Sequence, residues 1–303
     1  MRRIGGDKSP TAAIDGTDNR VNADVAILDT GIYLAHPDLN VVHHVNIITG
    51  CPEDSSGCGN DDNGHGTHVA GTVGALDNAI GVVGVAPGAR LWAVKVLDSG
   101  GSGYISDIIT GINYLASHAN QVGVVNMSFG CFCNSSALNL AINTAAAKGI
   151  VFVAAAGNSA TDALTFSPAN NPNVIAVSAI TDSDGKAGAL GPPPPCRTSE
   201  RDDTFASFSN YGSTVALAAP GVCILSTWNN GGYTTISGTS MASPHVTGAV
   251  ALYLATHAKP QNASDVQLVR QALLTAGFPQ LSVNGFTGDP DTNHEPLLNV
   301  GAF

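Results

Sequence analysis

Short, uninterrupted apolar runs recur along the chain. They are Asp24–Leu28, Leu91–Leu97, Gly123–Met127, Ile150–Ala156, Val174–Ile180 and Val215–Ala218, each bounded by turn residues. A strand with one wet face alternates apolar and polar residues, whereas a continuous apolar run is buried on both faces. Helical patterns fill the intervals at 65–76, 104–119, 136–148, 240–257 and 264–276. Strands alternating with helices predict an α/β three-layer sandwich: a mostly parallel central sheet with helices on both faces. In such sheets ligands bind at the C-terminal ends of the strands.

The chain has 303 residues and is 44% hydrophobic, enough for a sizeable core; we read residues 1–303 as one domain. Only 6% is aromatic and 35 residues are glycine, so that core must pack small side chains closely. A formal net charge of −11 argues against a nucleic-acid or anionic-membrane partner, both of which want basic surface. No stretch approaches the roughly 18 apolar residues of a membrane span. The N-terminus shows no secretory signal pattern, so the chain is read as a mature or engineered form with Met1 as a start residue. Its 6 cysteines are Cys51, Cys58, Cys131, Cys133, Cys196 and Cys223. Their even count and loop placement favour a secreted, extracellular protein with disulfides, but sequence alone does not choose the pairing. Cys51 and Cys58 bracket a polar loop whose ends a bridge would clamp. Zinc is disfavoured, because Cys131-Phe132-Cys133 has poor ligand spacing.

Gly238-Thr239-Ser240-Met241-Ala242-Ser243-Pro244-His245 joins a small-residue turn to an apolar helix. Backbone N–H groups without helical partners and the positive end of the helix dipole converge there, which suits negative charge on an attacked carbonyl. Ser240 is therefore either a nucleophile or a helix-capping serine. Asp29 ends the first run at Asp29-Thr30-Gly31, as a functional carboxylate or as a turn former. Gly64-His65-Gly66-Thr67-His68 opens a helix of small residues. His65 and His68 lack a third ligand at a familiar metal spacing, so we read one as catalytic and one as structural. Asn158 ends Ala155-Ala156-Gly157-Asn158, as a turn former or as an amide donor to an oxyanion.

Asp29-Thr30-Gly31, His65-Gly66-Thr67-His68, Ala155-Ala156-Gly157-Asn158 and Gly238-Thr239-Ser240-Met241-Ala242 stand in that order, and together the chain resembles the subtilisin family of serine proteases. The order Asp, His, Ser is subtilisin's own. The resemblance runs from about Arg3 to about Gly277, leaving 278–303 as a C-terminal extension expected to pack on the domain. It takes in His36-Pro37-Asp38-Leu39, Gly84-Val85-Ala86-Pro87-Gly88, Asn126-Met127-Ser128 and Ala219-Pro220-Gly221. It implies that Ser240 attacks a peptide carbonyl, His65 takes its proton and Asp29 orients His65. Asn158 and the Ser240 N–H would bind the oxyanion. No cofactor is expected for this chemistry.

By the same resemblance, an extended peptide or protein substrate adds as a strand between Gly101-Ser102-Gly103 and Ser128-Phe129-Gly130. Tyr104 and Phe129 would line an apolar subsite. Ala155, Ala156 and Gly157 would wall the primary pocket, which reaches toward Phe166-Ser167-Pro168. No carboxylate lies there, so broad, apolar-leaning cleavage is expected. A structural calcium is expected at Asp38, Leu76, Asn78, Ile80 and Val82, an oxygen-rich set. The ligand the family supplies near its N-terminus has no counterpart here. Asp289, Asp291, Asn293 and Glu295 form another oxygen-rich stretch. Lacking a glycine at the sharp turn of a calcium loop, it is read as a solvated acidic turn. The family further implies a monomer, with an inhibitory propeptide as a further partner. Two other functions fit the same residues: an esterase with this triad, and a catalytically silent binding module.

Overall fold

A computed structural model describes residues 1–303. Its central sheet is built from β1 (Asp24–Asp29), β2 (Val41–Asn46), β3 (Arg90–Lys95), β4 (Val124–Met127), β6 (Val151–Ala155), β8 (Val174–Thr181) and β10 (Val215–Pro220), all parallel, in the order β10-β8-β6-β4-β1-β3-β2. Short β5 (Cys131–Phe132) pairs with β7 (Phe166–Ser167), and β9 (Thr204–Phe205) runs antiparallel on β8. A hairpin of β11 (Ile224–Thr227) and β12 (Tyr233–Ile236) precedes the helix that carries Ser240.

The uninterrupted runs take the central strands because both faces are covered. Val25, Ile27, Leu91, Ala93, Val151 and Val153 face one apolar core with α1 (His65–Gly74), α4 (Thr239–Thr256) and α5 (Ala263–Ala276). Ala26, Leu28, Trp92, Val94, Phe152 and Ala154 face the other, with α2 (Ile105–Ser117) and α3 (Ser136–Ala146). Successive side chains on a strand point to opposite faces, so each run feeds both cores. This is the predicted three-layer α/β architecture.

The edge strand β2 is absent from the sequence reading. Its residues Val-Val-His-His-Val-Asn are only half-buried and alternate poorly. The β11–β12 hairpin was also missed. Its register on α1 depends on distant side chains: Ser226 Oγ donates to the His68 carbonyl (2.7 Å) and Thr227 Oγ1 to the Thr67 carbonyl (2.7 Å).

All cysteines are paired, as Cys51–Cys58, Cys131–Cys133 and Cys196–Cys223. The first closes the expected loop. The last anchors the end of the Gly191–Cys196 proline run beside β11. No helix is long and apolar enough to cross a membrane. Residues 278–303 lie against the sheet: Phe278 and Leu297 exchange backbone hydrogen bonds, and the Leu298 N–H donates to the Ala218 carbonyl on β10.

Candidate active site

Asp29 closes β1 at its C-terminal end and is fully buried. Its Oδ1 accepts from the Thr30 N–H (2.7 Å) and from His65 Nδ1–H (2.8 Å). This fixes the imidazole tautomer with its lone pair on Nε2. The His65 side chain is 26% exposed, so one ring edge is open to the cleft while the other is held by a buried carboxylate. Burial depresses the His65 pKa, but attraction to Asp29, the hydrogen bond to it and the charge of Asp61 outweigh burial and raise it above the ordinary histidine value.

Two residues outside the motifs set this geometry. Asp61 Oδ1 accepts from Thr30 Oγ1 (2.9 Å) and the Gly64 N–H (2.9 Å), while its Oδ2 accepts from the Thr67 N–H (3.0 Å). One carboxylate thus joins the turn after Asp29 to the first turn of α1. Lys95 Nζ donates to the Thr30 and Leu97 carbonyls (both 2.8 Å) and to Asp62 (2.7 Å), bracing the same turn from the other side. Only Asp61 was readable, as an acidic capping residue just before a helix start. Gly66 is required by close approach: a Cβ there would run into the Gly31 carbonyl oxygen.

The second histidine is structural in this arrangement. His68 is fully buried and its Nε2–H donates to the Ile224 carbonyl (2.9 Å). Burial brings its pKa down to about 4, aided by the charge of His65 and opposed by backbone hydrogen bonds at Ile224 and Thr234.

Helix α4 begins at Thr239, so Ser240 is its second residue and not its capping residue; Gly238 takes that place. Asn158 supplies the side-chain cap instead, its Oδ1 accepting from the Thr239 N–H (2.8 Å) and Thr239 Oγ1 (2.9 Å). Because the backbone donor dictates which end of the amide it faces, Asn158 Nδ2 is left for the cleft. The Ser240 N–H, in the first turn, has no helical carbonyl four residues back. Two donors therefore remain side by side at the positive end of the helix.

Pro244 lies within α4 and cannot donate to the Ser240 carbonyl. Ser128 Oγ takes over that role (2.8 Å), held in turn by Asn126 Nδ2 (2.8 Å). Reciprocally, Ser240 Oγ donates to the Ser128 carbonyl (2.9 Å), and in this state not to His65. Asn126 is fully buried, with its amide held by Ser128 and Ser243.

Between 101–103 and 128–130 lies a hollow of about 220 Å³, lined by Gly101, Ser102, Gly103, Phe129 and Gly130, with Leu97, Ile108 and Leu138 also in its walls. Tyr104 does not share it. That side chain is 79% exposed and lines a neighbouring hollow with Ile48, Asp98 and Asp107. As the residue before α2, it is turned outward by the helix start. Ala155, Ala156 and Gly157 follow one another at the end of β6, all buried. Gly157 needs its φ of +107°, and a Cβ there would strike Asn210 and the Phe166 ring.

The expected calcium ligands are differently engaged. Asp38 is fully buried, with Oδ1 accepting from Asn78 Nδ2 (2.9 Å) and Oδ2 from Tyr233 Oη (3.1 Å) and the Val82 N–H (3.3 Å). Asn78 Oδ1 accepts from the Ile80 N–H (2.8 Å). Burial raises the Asp38 pKa against these hydrogen bonds. Protein donors thus engage the side-chain oxygens of both Asp38 and Asn78.

The parallel sheet carries a carboxylate, an imidazole and a helix-borne serine on three separate elements, an α/β class with its polar residues at the C-terminal ends of the strands. Residues 22–295 match the model of the Subtilase family. Over 263 residues the chain is 41% identical to a thermostable alkaline protease of Halalkalibacterium halodurans, covering 87% of this chain and 65% of that protein. Subtilisin DY of Bacillus licheniformis is 44% identical over 239 residues, 78% of either chain. The chain therefore spans a little under two thirds of the first relative's length. A solved psychrophilic protease superposes with a TM-score of 0.76 at 33% identity, covering 97% of this chain and 98% of that one. A cold adapted subtilisin-like serine proteinase gives 0.75 at 33% identity, covering 94% and 92%. The chain belongs to the subtilase family.

Proposed function

We propose that the chain is a secreted serine endopeptidase acting through Asp29, His65 and Ser240 and an acyl-enzyme intermediate. Ser240 Oγ attacks the scissile carbonyl, giving its proton to His65 Nε2. Asp29 stabilises the imidazolium that forms, and the same proton later goes to the leaving amine. Water then attacks the ester on Ser240 by the reverse route. Asn158 Nδ2–H and the Ser240 N–H receive the oxyanion.

One observation carries this reading: Thr239 holds Asn158 by its oxygen, leaving its nitrogen free beside the Ser240 N–H. The bond from Ser240 Oγ to the Ser128 carbonyl also has a use here. A peptide adding as a strand along Ser128-Phe129-Gly130 donates its own N–H to that carbonyl. The serine hydroxyl is then released toward His65. Glycines at 101 and 103 let the peptide backbone approach the opposite segment. No acidic side chain lies in Ala154–Asn158 or Phe166–Pro168, so the pocket favours apolar residues over basic ones.

Casein incubated with the protein, with and without a serine-directed fluorophosphonate, tests this. Cleavage that the inhibitor abolishes is expected. Full labelling of Ser240 without casein cleavage points to an esterase instead.

A further inference from the structure

The slot between Ser128-Phe129-Gly130 and Ala155-Ala156-Gly157 is already part filled. A Cβ on Gly130 and a Cβ on Gly157 would each run into the same ring edge, Cε1 and Cζ of Phe166. The two glycines therefore leave a gap, and the tip of the Phe166 ring occupies it. Phe166 is only 8% exposed and packs with Ala156 and Ala163 in a small apolar cluster.

The ring is held in that place from outside. Strand β5 pairs antiparallel with β7, which sets Phe132 opposite Phe166. Phe132 meets it edge to face, 5.2 Å between centroids at 73°, a favoured arrangement for two aromatic rings. At 57% exposed, Phe132 fills no core; its contact is the cover it gives Phe166. The Cys131–Cys133 bridge spans Phe132, and Ser167 Oγ donates to the Cys133 carbonyl (2.9 Å), tying β5 to β7. Protein interiors are close-packed, so a substrate side chain larger than a methyl group has to displace this ring.

We propose that Phe166 is the specificity-determining residue of the primary pocket and directs cleavage to bonds that follow glycine, alanine or serine. This rests on the reading of the chain as an endopeptidase, in which the side chain before the scissile bond enters between these two segments. It narrows the apolar preference to small side chains, with leucine and phenylalanine excluded by the ring and not by charge. The neighbouring hollow of about 220 Å³ is lined by Gly130, Cys131, Ser167 and Pro168 but not by Ala155, Ala156 or Gly157, so it serves a different residue of the peptide.

Three peptide p-nitroanilides of one sequence, ending in Ala, Leu or Phe, test this with active enzyme counted by fluorophosphonate titration. For the native enzyme, kcat/KM should be at least ~10-fold higher after Ala than after Phe, since a single methylene in a pocket already discriminates about that much. Phe166→Ala should raise the Phe-to-Ala ratio at least ~10-fold. Phe166→Val, which keeps an apolar side chain in the Ala156 cluster, should shift it in the same direction and guards against a variant that fails to fold. Phe132→Ala, which removes the cover and leaves the ring, should raise the ratio by a smaller factor. The proposal is overturned if the native enzyme cleaves after Phe as well as after Ala, or if both Phe166 variants keep the native ratio. Release from none of the three peptides would overturn the endopeptidase reading itself, and this inference with it.

Discussion

At Asn158 the protein decides which end of a carboxamide faces the cleft. Thr239 claims the oxygen with a backbone and a side-chain donor, so the NH₂ has one direction left. Asn158→Ala should lower kcat by about 10²–10³, a magnitude taken from subtilisin itself, with little change in KM, because the oxyanion forms mainly in the transition state. A loss confined to KM, in steady-state kinetics on a peptide amide, would remove Asn158 from the oxyanion hole. At His65 the raised pKa has a sign that can be read. The base must be neutral to work, so activity falls as pH drops through a value above the ordinary histidine range, about 6.5. Asp29→Asn removes both the attraction and the hydrogen bond that hold it there. The acid limb of kcat/KM should move to lower pH, while kcat falls by roughly 10⁴, as in other serine proteases. An unmoved limb would mean that Asp29 does not set the base.

Helix α1 brings its first residue to Asp29 only because small residues let it lie against the turn after β1. Gly66→Ala would push a methyl group into the Gly31 carbonyl and the Asp29 side chain. Its kcat should fall at least ~10-fold, since small misplacements of a catalytic group cost about 10²-fold. The folded content should be retained by circular dichroism; an unchanged kcat would show that α1 has slack. The sequence was most legible at this scale. Apolar runs marked β1, β4, β6, β8 and β10 because both of their faces are dry. The edge strand β2 escaped, since Val41, Val42, His43 and His44 are all only half-buried and leave no clear period. The Ser128–Ser240 exchange escaped too. It follows from Pro244 removing a helical donor and from a segment arriving from over a hundred residues away; the Asp38–Tyr233 bond likewise joins distant segments, and Lys95 reaches the Thr30 carbonyl across 65 residues. Within Asp289–Glu295 only Glu295 is buried, held by Ser178 on β8, and that burial depends on a tail returning to β10, which is a tertiary fact.

The molecule as a whole holds two neutral histidines in its core. Burial, the first cause in each, brings His68 to about 4 and His245 to about 3. Unfolding returns both toward about 6.5, so below that pH the unfolded chain binds more protons than the folded one. This contribution costs nothing above about pH 6.5. It erodes stability as the pH falls toward 4 and 3, by up to ~1.4 kcal/mol per pH unit for each histidine. His65 acts oppositely: its raised value adds stability that is present below about 6.5 and lost as the pH rises through the folded pKa. Urea midpoints measured from pH 7 to 4.5 should fall, and His245→Gln should make the decline shallower; an identical slope would contradict the assignment. Asp29, His65 and Ser240 converge only in the folded chain. Labelling by a fluorophosphonate, located by peptide mass spectrometry, therefore tests the functional reading most directly. One adduct, on Ser240, should form in the native protein, slow sharply in His65→Ala, and vanish after urea unfolding. No adduct on native Ser240, or equal labelling of the native and unfolded chains, would contradict it.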